Sequence, residues 1–168
     1  MMARAHPQFA LRPYLPADTP LLAEIFRASV EELTAEDYSA PQQEAWLSAA
    51  DDEAAFGARL AGQLTLVATM EGSAVGFASL KALDVIDMLY VHPAATGQGV
   101  ATMLIDALEK LAAARGAGKL KAEVSDSALD FFTRRGFVAQ TRNTVPLGGE
   151  WLANTTMQKS LPEKGGDR

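Results

Sequence analysis

The residues best suited to chemistry fall within one stretch, Asp84 to Leu111. Asp87 interrupts an otherwise apolar run, Val85 to Val91, whose β-branched and large side chains predict a buried strand. A carboxylate there must be paired, solvated in a cleft or shifted in pKa, so Asp87 is the first candidate for a general base. A structural pairing with an arginine is the competing reading. His92 is a weaker candidate base, since His92-Pro93 ends the strand, because proline cannot donate to a ladder, and this puts the imidazole in a turn. Gly97 and Gly99 then allow a tight turn into a helix with Val100, Leu104, Leu108 and Leu111 on one face. The first N–H groups of a helix have no intrahelical partner and carry partial positive charge, so they can hold a phosphate. Gly97, Gln98, Gly99, Val100, Ala101 and Thr102 are thus a candidate pyrophosphate cradle.

Cradles of this kind differ in their details. A P-loop needs a lysine after its second glycine, and none lies between Thr96 and Ile105. A Rossmann turn needs glycine or alanine where Thr102 stands, and it belongs on a first strand. Glu123 lies about where a ribose-binding acid would fall, so a nucleotide-dependent enzyme remains an alternative.

The third reading comes from a resemblance. Leu89-Tyr90-Val91-His92-Pro93 followed by Thr96-Gly97-Gln98-Gly99-Val100-Ala101 resembles the acetyl-CoA motif of the GNAT superfamily of N-acetyltransferases, Q/R-x-x-G-x-G/A after a strand ending L-Y-V-x-P. Ala128-Leu129-Asp130-Phe131-Phe132-Thr133-Arg134-Arg135-Gly136-Phe137 is similar to the family's A-x-x-F-Y-x-x-x-G-F signature. The two motifs stand in the family's order, and the match spans roughly Phe9 to Ser160. Two positions depart from the pattern: Thr96 replaces the usual arginine or glutamine, and Phe132 the usual tyrosine.

The resemblance implies an α/β (α+β) GNAT fold, a mixed and mostly antiparallel sheet of about six to seven strands with about four helices. It implies an acyltransferase that uses acetyl-CoA as cosubstrate, without a metal, and moves an acetyl group to a primary amine. It places the pantetheine arm on the main chain of Leu89, Tyr90 and Val91. The phosphates fall at Thr96 and the glycine turn, and further cosubstrate contacts at Ala128, Phe131 and Phe132. Tyr38 and Trp46, after the first helix, become candidate acceptor contacts, although aromatics also cover cores. A homodimer is compatible with the family.

Composition sets the bounds. At 168 residues with 48% apolar content, the chain suits one domain with a real core. The expected layout is a tail over 1–8, one domain over 9–160 and a polar tail over 161–168. The chain holds no cysteine, which excludes disulfides and thiolate catalysis. Its two histidines, His6 and His92, make no case for zinc. A net charge of −6 argues against nucleic acid as a partner. No apolar run reaches membrane-spanning length and the first residues lack a leader's apolar core, so a cytoplasmic protein is expected.

Periodicity predicts a strand over Phe9–Pro13 and a helix starting at Asp18. It predicts a loop and a helical turn from Tyr38 to Trp46, then a helix from Asp51 to about Leu60. Strands follow over Leu64–Thr69, Ala74–Ala82 and Lys119–Val124, then a short helix over Ser125–Arg135. Phe137–Arg142 and Trp151–Lys159 read as the last strands.

Acetyl transfer to an amine needs a base for the amine's proton and donors for the developing oxyanion. Asp87 is the expected base, with Glu31, Glu36 and Asp37 behind it. Phe132 cannot protonate the departing sulfur. Expelling a thiolate at pH 7 from a thiol of pKa about 8.5 is uphill by only about 2 kcal/mol, so Ser125, Tyr90 or water could supply that proton. With no cysteine, direct attack in a ternary complex is expected. A catalytically silent acyl-CoA-binding module is the other alternative, motivated by Thr96 and Phe132.

Overall fold

The computed structural model describes residues 8–162. Most of the expected tails, and His6, lie outside the described residues. Gln8, assigned to the first tail, is held at both main-chain groups: its N–H donates to the Glu71 carboxylate and its carbonyl accepts from the Glu71 N–H.

Seven strands make one sheet: β1 (Phe9–Pro13), β2 (Leu64–Met70), β3 (Ser73–Lys81), β4 (Val85–Val91), β5 (Lys119–Ser125), β6 (Val138–Leu147) and β7 (Glu150–Ser160). Their order is β1-β2-β3-β4-β5-β7-β6, antiparallel throughout except for the parallel pair β4 and β5. Five α-helices flank it: α1 (Thr19–Leu33), α2 (Ala40–Leu47), α3 (Glu53–Ala61), α4 (Val100–Ala114) and α5 (Leu129–Arg134). Leu22, Ile25 and Phe26 of α1 and Phe56 and Leu60 of α3 bury one sheet face with Val67, Phe77 and Met88. Leu104, Ile105 and Leu108 of α4 bury the other with Leu80, Ile86, Leu120 and Val124. The expected mixed, mostly antiparallel sheet is therefore observed.

Several boundaries differ for physical reasons. The Tyr38–Trp46 segment is more helical than expected, because Ser39 and Gln42 form a reciprocal cap that starts α2. Asp18 precedes α1, but its carboxylate turns back to the Leu15 N–H and to Arg12 instead of capping the helix. The helix expected over Ser125–Arg135 begins only at Leu129, because Ser125 still pairs with Asn154 of β7. β6 runs on to Leu147, and Gly148-Gly149 alone make the hairpin turn, both at positive φ.

The feature that positions the site is a split in the sheet. β4 and β5 pair only at Val85–Lys121 and Ile86–Ala122, and beyond that they diverge. A register shift in the β3–β4 ladder pairs Leu80 with Ile86 but Ser79 with Met88, leaving Asp87 as the extra residue of a bulge. Regular alternation would put Ile86 and Met88 on one face. Instead Ile86 packs with the α4 core and Met88 with the α1 core.

Candidate active site

The split is lined along its β4 edge by free backbone. The His92 N–H donates to Val75 O at 2.8 Å, and alternation in an antiparallel ladder then commits Tyr90 N–H and C=O to Phe77. The main-chain groups of Leu89 and Val91 face the open edge. Of the three residues expected to bond a pantetheine arm through their main chain, Leu89 and Val91 fit, while Tyr90's backbone is already taken by β3.

The glycine turn fits a phosphate. Gly97 and Gly99 have φ of +77° and +87°, with open space where a Cβ would stand. The first internal bond of α4 runs from Met103 N–H to Gly99 O, so the N–H groups of Val100, Ala101 and Thr102 have no acceptor within the helix. Gly76 lets this helix start sit close to the sheet, since a Cβ there would meet Val100 at 3.2 Å and Tyr90 O at 3.1 Å. Thr96 contributes less than expected. Its hydroxyl donates to Pro93 O at 2.9 Å and is turned away from the role of phosphate donor.

Three hollows meet at the split, and Trp46, Tyr90 and Ser125 line all of them. The first, about 210 Å³, lies between the ends of α1 and β4 and the starts of α4 and α5; it brings together Leu89, Val91, Thr96, Ala101, Ala128 and Phe131. The second, about 90 Å³, is the split itself, with Asp87, Glu123 and Phe132 on its walls. The third, about 170 Å³, lies between α2 and the β6–β7 hairpin and is walled by Tyr38, Glu123, Val145, Leu147, Leu152 and Asn154.

At the junction, Tyr90 is fixed by its ring neighbours. Phe26 meets it edge-on at 4.8 Å between centroids, and Trp46 Nε1 donates to its hydroxyl at 3.2 Å. Burial pushes the phenol's pKa up, outweighing the Trp46 hydrogen bond and the charge of Arg59, so Tyr90 stays protonated at neutral pH. Its hydroxyl accepts from Trp46 and so keeps its own proton to donate. Ser125 Oγ accepts a 3.3 Å bond from Ala128 N–H. Tyr38 is more structural than expected. Its hydroxyl donates to Ala153 O at 2.6 Å and accepts from Asp126 N–H at 2.9 Å, tying β7 to the turn after β5, and its ring meets Trp46 edge-on.

The two carboxylates in the split are held differently. Asp87 Oδ2 accepts from Arg59 Nε and Gln63 Nε2, both at 2.8 Å. Burial raises its pKa, but these hydrogen bonds and the charges of Arg59 and Lys81 more than offset that and leave it below the ordinary value. Asp87, the expected base, thus lines the split and also makes the arginine pairing of the competing reading, and a carboxylate stabilised as an anion by a cation is a weaker proton acceptor than a free one. Glu123 accepts from the Thr156 hydroxyl (2.8 and 3.0 Å) and from Asn143 Nδ2 (3.0 Å), all neutral donors. Sequence reasoning weighed Glu123 only as a ribose ligand. The signal that could have found it is the alternation of L-K-A-E-V-S, which puts Glu123 and Ser125 on one face of β5. The Glu123 partners and the Val145–Leu152 wall carried no local signal.

His92 Nδ1 accepts from Ala94 N–H within its own turn, as its position implied. Phe132 is buried, edge-on to Phe131 and Phe137, and offers no proton. Among the described residues, no helix is long and apolar enough to cross a membrane.

Comparison with known proteins matches residues 34–161 to the acetyltransferase (GNAT) domain family. The chain is 34% identical over 148 residues to the uncharacterized N-acetyltransferase YafP of Escherichia coli (strain K12), covering 88% of this chain and 93% of that one. A crystal structure from Rhodopseudomonas palustris, described as "GCN5-Related N-acetyltransferase: Aminotransferase, Class-II", superposes with a TM-score of 0.90 at 64% identity, covering 96% of this chain and 99% of that one. The PaiA N-acetyltransferase of Thermoplasma acidophilum, solved in complex with coenzyme A, shares the fold at 19% identity and a TM-score of 0.76, covering 91% and 99% of the two chains.

Proposed function

From the premise that the chain belongs to the GNAT family of acetyltransferases, we propose that it binds acetyl-CoA in the split and transfers the acetyl group directly to a primary amine. The observation that carries this reading is the junction of the hollows. One hollow borders free strand backbone and the start of α4, another holds a carboxylate without a cation, and Tyr90, Trp46 and Ser125 stand where they meet.

Acetyl-CoA supplies an activated thioester. The α4 N–H groups and the glycine turn hold its pyrophosphate, and the Leu89 and Val91 main chains hold its pantetheine arm. A main-chain N–H of the open β4 edge is available to the carbonyl oxygen as charge develops there. Glu123, directly or through water, takes the proton that the ammonium must lose before its nitrogen attacks. The new C–N bond forms as the C–S bond breaks, and the second proton shed by the nitrogen passes, directly or through water, to the departing sulfur, which leaves as the thiol. Tyr90 donates a hydrogen bond to the leaving sulfur in place of the proton donor that Phe132 cannot be.

Thermal unfolding with acetyl-CoA, CoA and NAD, followed by an amine screen, tests this. A ligand at 100 times its dissociation constant stabilises the native state by about 2.7 kcal/mol, which is a rise of several degrees at about 2–4 °C per kcal/mol. The expected result is a rise with acetyl-CoA and CoA, none with NAD, and turnover with an amine. A rise without turnover of any amine would make the protein a silent binding module. A rise with NAD alone would favour the nucleotide reading.

A further inference from the structure

The hollow between α2 and the β6–β7 hairpin is uneven in its chemistry. Its one charged wall residue is Glu123. Apolar side chains line it too, Val145, Leu147 and Leu152 from the hairpin and the indole of Trp46, beside the neutral polar groups of Tyr90, Ser125 and Asn154. Among the described residues, no lysine, arginine or histidine lines it.

Two of the charged groups nearby are already engaged. Arg142 makes a two-pronged ion pair with Asp126 and also donates to Thr155 Oγ1 at 3.1 Å. Asp37 accepts from the Ser127 hydroxyl at 2.7 Å. Lys121 shares the β5 face with Glu123 but neither lines the hollow nor forms an ion pair among the described residues. Glu123 is held by the Asn143 amide and the Thr156 hydroxyl, both neutral donors, and has no ion-pair partner among the described residues.

Each acceptor class makes its own demand on such a site. A free amino acid brings a carboxylate that is best met by an arginine or a lysine; among the described residues the hollow offers it only neutral polar groups, and it would share the space with the Glu123 carboxylate. A polyamine brings further ammonium groups that need further acids, and the walls offer one. An amine with a single charge at the reacting end of an apolar body matches Glu123 and the apolar side chains together.

Resting on the acetyl-transfer reading, we infer that the acceptor is an apolar monoamine, an alkyl or aralkyl primary amine without a carboxylate, whose ammonium is read by Glu123 and whose body lies against Val145, Leu147 and Leu152. Trp46 offers its ring to an aromatic body, so 2-phenylethylamine is the natural probe.

The test measures kcat/KM at saturating acetyl-CoA for 2-phenylethylamine, phenylalanine and spermidine, with the acetyl-CoA-induced rise in unfolding midpoint recorded on the same protein. The expected result favours 2-phenylethylamine over phenylalanine by at least ~100-fold, the scale on which a site rejects a group it leaves unpaired, and over spermidine as well. Leu147→Arg, at a partly exposed position on the hairpin, should narrow the gap between 2-phenylethylamine and phenylalanine at least ~10-fold by giving the carboxylate a partner. Equal or better turnover of phenylalanine or spermidine by the unaltered protein overturns the inference. So does the absence of turnover of all three while acetyl-CoA still raises the midpoint. No rise with acetyl-CoA would instead fell the acetyl-transfer reading, and this inference with it.

Discussion

Two carboxylates line the split between β4 and β5, and their surroundings differ. Asp87 sits in the β4 bulge, where Arg59 and Gln63 reach its Oδ2 from α3 and the segment behind it. It ties a helix to the sheet at the point where the strands begin to part. Glu123, on β5, is gripped by Asn143 and Thr156 of the neighbouring strands and opens onto the apolar hollow. An acid paired with a cation is stabilised in its charged form and serves structure. An acid held only by neutral donors keeps its charge available for something that arrives from solution.

Breaking the Glu123 side should have the largest effect. Glu123→Gln keeps the shape and removes the base, so kcat/KM should fall by about 100- to 10,000-fold, the usual contribution of general base catalysis. The acetyl-CoA-induced midpoint shift should stay unchanged, since the donor hollow does not include Glu123. A loss of acetyl-CoA binding instead would mean that Glu123 shapes the donor site.

Tyr90→Phe keeps the aromatic packing against Phe26 and removes one hydrogen bond, so kcat should fall by about tenfold, equivalent to about 1.4 kcal/mol. Single-turnover kinetics with acetyl-CoA and a small leaving-group series would show whether the loss tracks the sulfur's basicity. An unaltered kcat would remove Tyr90 from the chemistry.

Asp87→Asn should invert the pattern. Stability should drop by about 1.5–3 kcal/mol, as for loss of hydrogen bonds to a charged partly buried group, while kcat changes by no more than a few fold. The pH dependence sharpens the contrast. Because the folded-state pKa of Asp87 lies below the unfolded value of about 3.9, its contribution is present above that pH and is lost as pH falls through the folded value. Unfolding midpoints of the two proteins should therefore differ most near neutrality and converge below about pH 4. A large loss of kcat with little loss of stability would return Asp87 to the role of base.

The smallest expected effect is that of Thr96→Ala. Its hydroxyl is folded onto Pro93 O, so the dissociation constant for acetyl-CoA, measured calorimetrically, should change by no more than about threefold, the scale of under 1 kcal/mol.

What could be read along the chain was whatever depends on near neighbours. The apolar run Val85–Val91 marked β4 to the residue, Gly97 and Gly99 marked the turn, and the Val100–Leu111 periodicity marked the helix that follows it. These signals are local because a strand's two-residue period and a helix's unpaired first turn are properties of a few consecutive residues. The order of the strands and the point where β4 and β5 part are not local. They depend on which ladder each backbone group joins, and a single bulge at Asp87 shifts the faces of everything after it. Asp87 illustrates the limit: its sequence context flagged an acid in an apolar strand, but only folding brought Arg59 and Gln63, far away in the chain, within 2.8 Å of it. Glu123 illustrates the converse. It stands in an unremarked alternating strand, and its partners at Asn143 and Thr156 and the apolar wall opposite come from a hairpin that follows it. The amino-acid sequence by itself thus determined the glycine turn and the strand and helix that flank it; which of two carboxylates is paired with a cation was decided by tertiary structure, because that depends on neighbours that only the fold supplies.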